Sequence, residues 1–214
     1  MDFDVAREKM VASQIRTTEV TDPLVVATMG QIPREKFVPS EKKAFAYLDE
    51  DMAIGGGRFL MEPMIVARLI QLADLEPDDS VLVVGAGTGY LAAVASRMVA
   101  SVIALEEDPK LADGAAKTYA ELNIDNVKVV VGSLKSGWAG PFDAILFDGA
   151  VAEIPEEIRA QLADGGRLAA VVRDGPVGRA TLIVRAGEAF GSRQEFDAMT
   201  PLLPGFEKAP AFQF

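Results

Sequence analysis

The run Val84-Gly85-Ala86-Gly87-Thr88-Gly89-Tyr90 is where residue types and spacing first suggest chemistry. Glycine lets the backbone turn through left-handed conformations and approach a ligand closely, and the free amides at a helix start suit anionic or polar groups. Before the run stands Ser80–Val84, a short continuous apolar stretch of the kind expected for a strand buried on both faces. After it, a helix is predicted from about Tyr90 to Met98. Glu106 stands 21 residues beyond Gly85, at the end of a second predicted strand, Val102–Leu105. A carboxylate so spaced is placed to accept hydrogen bonds from ribose hydroxyls. Such a site would hold a nucleoside-containing cofactor. The bland alternative is a glycine turn in an α/β domain that binds nothing.

What the chain lacks narrows the chemistry further. There is no cysteine, which removes disulfides, thiolate nucleophiles and zinc–thiolate sites. There is no histidine, which removes the Ser-His-Asp triad and the usual general base near neutrality. Catalysis must run on carboxylates, hydroxyls, Lys, Arg, backbone dipoles or a bound cofactor. The net charge of −11, from 32 acids against 21 bases, comes without a basic stripe and argues against a nucleic-acid partner. No apolar run is long enough for a membrane span, and the acidic start MDFDVAREKM does not read as a secretory signal, so the expected location is the cytoplasm.

The elements that must position the glycine run follow from periodicity. Residues 4–16 and 22–31 read as helices, the second opened by Thr21-Asp22-Pro23, and an irregular loop containing Gly55-Gly56-Gly57 follows. From Pro63 the pattern alternates. A helix through about Leu72 precedes the strand 80–84. Beyond the strand 102–105 come a helix at Lys110–Leu122 and strands at Val127–Val131 and Phe142–Phe147. A helix at Pro155–Leu162 and a strand at Arg167–Val172 complete the alternation. Ala180–Val184 and Gln194–Met199 have no helix between them and predict a terminal hairpin. The expected fold is α/β, a doubly wound Rossmann-like sheet with a terminal antiparallel β-hairpin and an N-terminal helical extension. Residues 1–62 form the extension and the loop, and residues 63–214 the core, within one structural domain.

The spacing also separates cofactors. A dinucleotide fingerprint places Gly or Ala sixth in G-x-G-x-x-G, and here that position is Tyr90. The G-x-G-x-G form with a terminal hairpin resembles the class I S-adenosylmethionine-dependent methyltransferases. The resemblance sharpens at Met10-Val11, Gln14-Ile15-Arg16 and Ile32-Pro33-Arg34-Glu35-Lys36-Phe37-Val38-Pro39, and at Ala46-Tyr47, Asp49 and Ile54-Gly55. It continues through Pro63, Ile65-Val66-Ala67, Gly137-Trp138, Phe142-Asp143, Glu153-Ile154-Pro155, Gly165-Gly166-Arg167-Leu168 and Pro201-Leu202-Leu203. From about residue 10 to about residue 206 the chain resembles the protein-L-isoaspartate O-methyltransferases. That resemblance implies S-adenosylmethionine as cofactor and a protein or peptide carboxylate as acceptor, the free carboxylate of isoaspartyl residues in damaged proteins. It also implies a cofactor pocket at Gly85, Ala86, Gly87, Gly89, Glu106, Ser133 and Leu134.

Departures from the family pattern fall on functional positions. The family's Gly-x-Gly-Gln-Thr-Ile-Ser-x-Pro is here Gly55-Gly56-Gly57-Arg58-Phe59-Leu60-Met61-Glu62-Pro63, so Phe59 and Met61 stand where the resemblance implies active-site hydroxyls. Val83 replaces an acid before the glycine run, and Ser133 replaces one after the third core strand. Arg58 can bind a substrate carboxylate or be a solvated loop charge. Asp148, where the family carries a small residue, can align a substrate amine or hydroxyl, act as a weak base, or be a solvated loop carboxylate. Two functional readings stand: an active methyltransferase, with isoaspartyl or a diverged acceptor, and a catalytically impaired relative that acts by binding cofactor or a partner.

Overall fold

Five strands between residues 80 and 172 run parallel because each of the first four is followed by a crossover that returns the chain to the same end of the sheet. The computed structural model describes residues 1–208; residues 209–214 of the expected core lie outside that description. The strands are β3 (Ser80–Val84), β4 (Ser101–Glu106), β5 (Val127–Val131), β6 (Phe142–Val151) and β7 (Leu162–Val172), numbered after the hairpin strands β1 (Met52–Gly55) and β2 (Arg58–Leu60). An antiparallel pair, β8 (Gly178–Ala186) and β9 (Ala189–Ala198), closes the β7 edge. The sheet order is β5-β4-β3-β6-β7-β8-β9. The chain therefore moves outward from β3 to β5 and then crosses back to the other side of β3. The glycine run lies at that reversal, where open α/β sheets bind ligands.

Alternation along the strands explains why both faces are buried. Val81, Val83, Val102, Ala104, Ala144 and Leu146 belong to one apolar cluster, while Leu82, Val84, Leu105, Ile145 and Phe147 belong to the other. The first face is covered by α3 (Pro63–Ala73), α4 (Tyr90–Ala95) and α5 (Pro109–Glu121), following α1 (Phe3–Met10) and α2 (Pro23–Met29) of the extension. On the second face lie Ile158 of α6 (Glu156–Arg159) and the late residues Leu203 and Phe206. Local chemistry sets the helix starts. Asp22 accepts from the amides of Leu24 and Val25 with Pro23 in the first turn, and Asp108 accepts from Lys110 ahead of α5. No described helix is long and apolar enough to cross a membrane.

Several elements differ from the sequence expectation; β6 runs on to Val151 and β9 begins already at Ala189. The helix expected at 4–16 becomes α1 and then a five-residue π turn, Val11–Ile15, closed by Arg16 N–H to Val11 O at 3.0 Å. Ser13 and Thr17 hydroxyls bond back to carbonyls four residues earlier, a competition that loosens regular helix. Helix α4 stops at Ala95, where the Ser96 hydroxyl turns back to Ala93 O. The helix expected at 155–162 is only α6, because Leu162 already pairs with Phe142 and begins β7. The loop expected around the three glycines is in fact a hairpin, with Met52 opposite Leu60 and Ala53 opposite Phe59. Gly55, Gly56 and Gly57 take φ of 100°, 58° and 72°, a turn that side-chain-bearing residues rarely adopt.

Candidate cofactor and acceptor site

At the carboxyl ends of β3 and β4 the backbone and Glu106 are tied together. Gly85 and Ala86 N–H both donate to Leu105 O at 2.9 Å, and Gly87 N–H donates to Glu106 Oε2 at 2.7 Å. Glu106 Oε1 accepts from the amides of Glu107 at 2.8 Å and Asp108 at 3.0 Å. Gly85 and Gly87 take left-handed φ of 76° and 57°, and the loop so turned aims the Gly87 amide at the carboxylate. Thr88 Oγ1 donates to Phe37 O and the Tyr119 hydroxyl donates to Gly89 O, which anchor the loop to the extension and to α5.

Arg58 completes this arrangement from the hairpin. It is buried, its Nη1 lies 2.6 Å from Glu106 Oε2, and its Nη2 donates to Gly85 O. Neither sequence expectation for Arg58 describes this state. It is not a solvated charge, and its guanidinium is engaged by protein groups, because the hairpin folds over the glycine run and carries the side chain inward. Leu134 is buried and lines a 140 Å³ cavity here with Gly56, Arg58, Glu106, Asp108 and Pro204. Ser133 is exposed and does not line it, and Ala86 packs into the apolar cluster behind the loop.

A second polar group lies on the acceptor side, beneath β2. Arg34 is fully buried, donating from Nε to Ala46 O and from Nη2 to Met61 O, each at 2.7 Å, and its guanidinium lies 4.8 Å above the Tyr90 ring centre. Its Nη1 has no hydrogen-bond partner among the described residues. Asp148 is not the solvated loop carboxylate that the sequence left open. β6 continues to Val151, so Asp148 sits within the strand and is only 3% exposed, and its Oδ1 is also without a partner. Burial pushes the Asp148 carboxyl up to about 7, against the opposing pull of Arg58 and Arg34. Half-buried Glu62, just before α3, is likewise raised to about 7, by burial and then by repulsion from Asp49 and Asp51. Asp51 holds the turn, accepting from Glu62 N–H and from the Thr200 hydroxyl, each at 3.1 Å.

Phe59 is half-buried and Met61 fully buried, so that wall offers carbon and sulfur where the resemblance implied hydroxyls. Sequence reasoning did not single out Arg34, Glu62, Asp51 or Thr200 as site residues. For Arg34 a signal existed, a charge set among Ile32, Pro33 and Phe37, but only the fold shows that its carbonyl partners come from Ala46 and Met61. Among the expected residues, the fold brings Gly85, Gly87, Glu106, Leu134 and Arg58 to one place. Asp148 stands near enough for Arg58 and Glu106 to act on its titration.

The fit of the implied cofactor rests on this geometry. Glu106 and the left-handed glycines supply the acceptor and the close backbone approach that a ribose needs. The space itself is taken. A Cβ placed on Gly85 would lie 2.9 Å from Arg58 Nη2 and 3.0 Å from Leu203 Cδ2, and one on Gly87 would lie 2.9 Å from Ile54 Cδ1. Pockets for ligands of such size enclose roughly 300–1,000 Å³, well above the cavity present. The donor set fits the cofactor with Arg58 withdrawn, and not with Arg58 in place.

A seven-stranded sheet with this order, an antiparallel end and a glycine run at its reversal define the Rossmann-like methyltransferase class. Comparison with known proteins narrows the class. The family model Protein-L-isoaspartate(D-aspartate) O-methyltransferase (PCMT) matches residues 5–195. A protein-L-isoaspartate O-methyltransferase of Methylorubrum populi is 41% identical over 209 residues, 94% of this chain and 97% of that one. Protein-L-isoaspartate O-methyltransferase 1 of Rhodopseudomonas palustris is 42% identical over 78% of this chain and 69% of its own. The chain belongs to the protein-L-isoaspartate O-methyltransferase family. A solved protein-L-isoaspartate O-methyltransferase superposes with a TM-score of 0.80 at 26% identity over 93% of this chain and 66% of that longer one. The fold is shared with a Plasmodium falciparum protein solved with S-adenosyl-L-homocysteine, with a TM-score of 0.78 at 24% identity over 92% and 97% of the two chains.

Proposed function

We propose that this chain is an S-adenosylmethionine-dependent O-methyltransferase that esterifies a protein or peptide carboxylate, with isoaspartyl groups as its acceptors. The observation that carries the reading is the Glu106 carboxylate held against Gly87 N–H at the sheet reversal of a chain in this family. Residues 63–214 would form the cofactor core, and residues 1–62 the acceptor wall, within one structural domain. On this reading the enzyme works in the cytoplasm.

The cofactor, when bound, supplies a methyl group already activated by its sulfonium. The protein's task is then mainly alignment, which suits a chain without histidine or cysteine. Gly85 and Gly87 let the backbone approach the ligand, Gly89 makes room for the Tyr119 hydroxyl that anchors the loop, and Glu106 accepts from the ligand's hydroxyls. An acceptor carboxylate is ionised at neutral pH, so no base must remove a proton before it attacks. Arg34 Nη1 is a buried donor without a partner on the acceptor side, available to an anionic oxygen. Phe59 and Met61 exclude water from that wall.

The test uses two peptides that differ only at one linkage, isoaspartyl against aspartyl, with methyl-labelled S-adenosylmethionine. The expected result is base-labile label on the isoaspartyl peptide at least about tenfold above the aspartyl one. Label on neither peptide, from protein shown to bind the cofactor, would remove the isoaspartyl reading.

A further inference from the structure

We propose that Arg58 is a built-in occupant of the cofactor cradle, and that the β1–β2 hairpin is a strap the cofactor must displace rather than a lid that closes over it. The inference rests on the cofactor reading above.

Arg58 satisfies the cradle as a ligand would. Its guanidinium takes the outward side of Glu106 Oε2 at 2.6 Å and also donates to Gly85 O. With the amides of Gly87, Glu107 and Asp108, Glu106 is then bonded entirely by protein donors. The volume that Gly85 and Gly87 leave free by lacking side chains is filled by Arg58 and Ile54 of the hairpin and by Leu203. Only 140 Å³ remains beside Glu106. The cradle is thus closed by polar complementarity as well as by bulk.

The strap is built to move at its tip and hold at its base. β1 and β2 form a separate two-stranded sheet, outside the ladder of the main one. Their turn is three consecutive left-handed glycines; a side chain added at Gly55 would touch nothing within 4 Å, whereas one at Gly56 would lie 2.9 Å from Asp108 Oδ2 and one at Gly57 3.7 Å from Pro204, so the tip rests on the α5 start and the late loop without a backbone ladder to either. The far end is pinned, with Met61 O bonded to Arg34 and Glu62 N–H to Asp51. Rotation about the glycine turn can withdraw Arg58 while that base stays in place.

Charge makes the exchange selective. Arg58 is the closest cation to Glu106 and the largest favourable charge acting on Asp148. Withdrawing it leaves the buried Glu106 carboxylate without its cation, in need of donors or positive charge from the incoming molecule, while Asp148 moves further toward its protonated form. A ligand bearing both hydroxyl donors and a cationic centre replaces both contributions of Arg58. A neutral ligand with the same hydroxyls replaces only the first.

The experiment compares the parent protein with Arg58→Gln, using S-adenosylhomocysteine in calorimetric titration. Gln keeps a donor for Glu106 but removes the competing charge and shortens the side chain. The expected result is binding at least about tenfold tighter in Arg58→Gln. Equal or weaker binding in a folded variant would overturn the strap while leaving the cofactor reading intact. Binding by neither protein at millimolar ligand would overturn both. Should Arg58→Gln fail to fold, hydrogen exchange on the parent protein decides the matter. The strap requires amides 54–58 to exchange faster when S-adenosylhomocysteine is bound, whereas slower exchange there means a closing lid and contradicts the proposal.

Discussion

The two halves of the site treat their polar atoms in opposite ways. On the cofactor side Glu106 accepts bonds from Gly87, Glu107 and Asp108 and is ion-paired with Arg58. On the acceptor side, Arg34 Nη1 and Asp148 Oδ1 are buried without partners among the described residues. Buried polar groups are costly when unpaired, so the first half is stable as folded and the second is held in place by its surroundings. The difference teaches where each ligand contributes. A cofactor must compete with an internal cation, whereas an acceptor meets groups that still lack partners.

The largest expected effect comes from spoiling the cofactor half. Gly87→Val puts a β-branched side chain at φ 57° and a Cβ 2.9 Å from Ile54. S-adenosylhomocysteine affinity should fall by about 1,000-fold, or roughly 4 kcal/mol, in calorimetry. Unchanged affinity would mean that the ligand sits away from the glycine run. On the acceptor half, Phe59→Thr with Met61→Ser restores hydroxyls at the cost of a fully buried thioether. Urea unfolding should show a loss of about 3 kcal/mol, mainly from Met61. Isoaspartyl methylation should nevertheless rise several-fold, since the new hydroxyls give the acceptor hydrogen-bond partners. A fall in activity larger than the lost stability explains would show that the apolar wall is itself adapted to the acceptor.

Asp148 gives a smaller effect with a definite sign. Its folded value of about 7 lies above the ordinary 3.8, so the folded state keeps a proton that the unfolded chain has already released between about pH 4 and 7. Its contribution to stability is therefore full in acid and is lost as pH rises through 7. Asp148→Asn removes that loss. From pH 5 to pH 8 the variant should gain about 2–3 kcal/mol on the parent protein in urea unfolding. Parallel stability curves would mean that Asp148 is ionised throughout. The smallest effect serves as a baseline far from both halves. Arg179 and Asp197 form an exposed pair at 3.4 Å between β8 and β9, and Arg179→Ala should change stability by less than about 1 kcal/mol without altering methylation.

Much of the fold could be read from the sequence, because strands buried on both faces leave continuous apolar runs. Ser80–Val84 and Val127–Val131 are found at the predicted bounds, and the terminal hairpin is where a pair of apolar segments without a helix placed it. The β1–β2 hairpin was not legible, because Ile54, Phe59 and Leu60 show no alternation that distinguishes a three-residue strand from a loop. The early start of β7 was hidden because Ala163-Asp164-Gly165-Gly166 carries turn residues inside the strand. At the site, the glycine run and Glu106 announce themselves by spacing. Arg58 does not, since its partners come from 27 and 48 residues away and only the folded hairpin brings them together. For Arg34 the charge among apolar residues was visible, but its carbonyl partners, Ala46 and Met61, come from two separate segments that only the fold brings together.

What occupies Glu106 can be read from the position of Arg58 in crystals of the parent protein grown with S-adenosylhomocysteine. Ribose hydroxyls are expected within hydrogen-bond distance of Glu106, with the Arg58 guanidinium moved out of the cradle on a rotated hairpin tip. Ligand bound at the glycine run with Arg58 still paired to Glu106 would contradict that displacement.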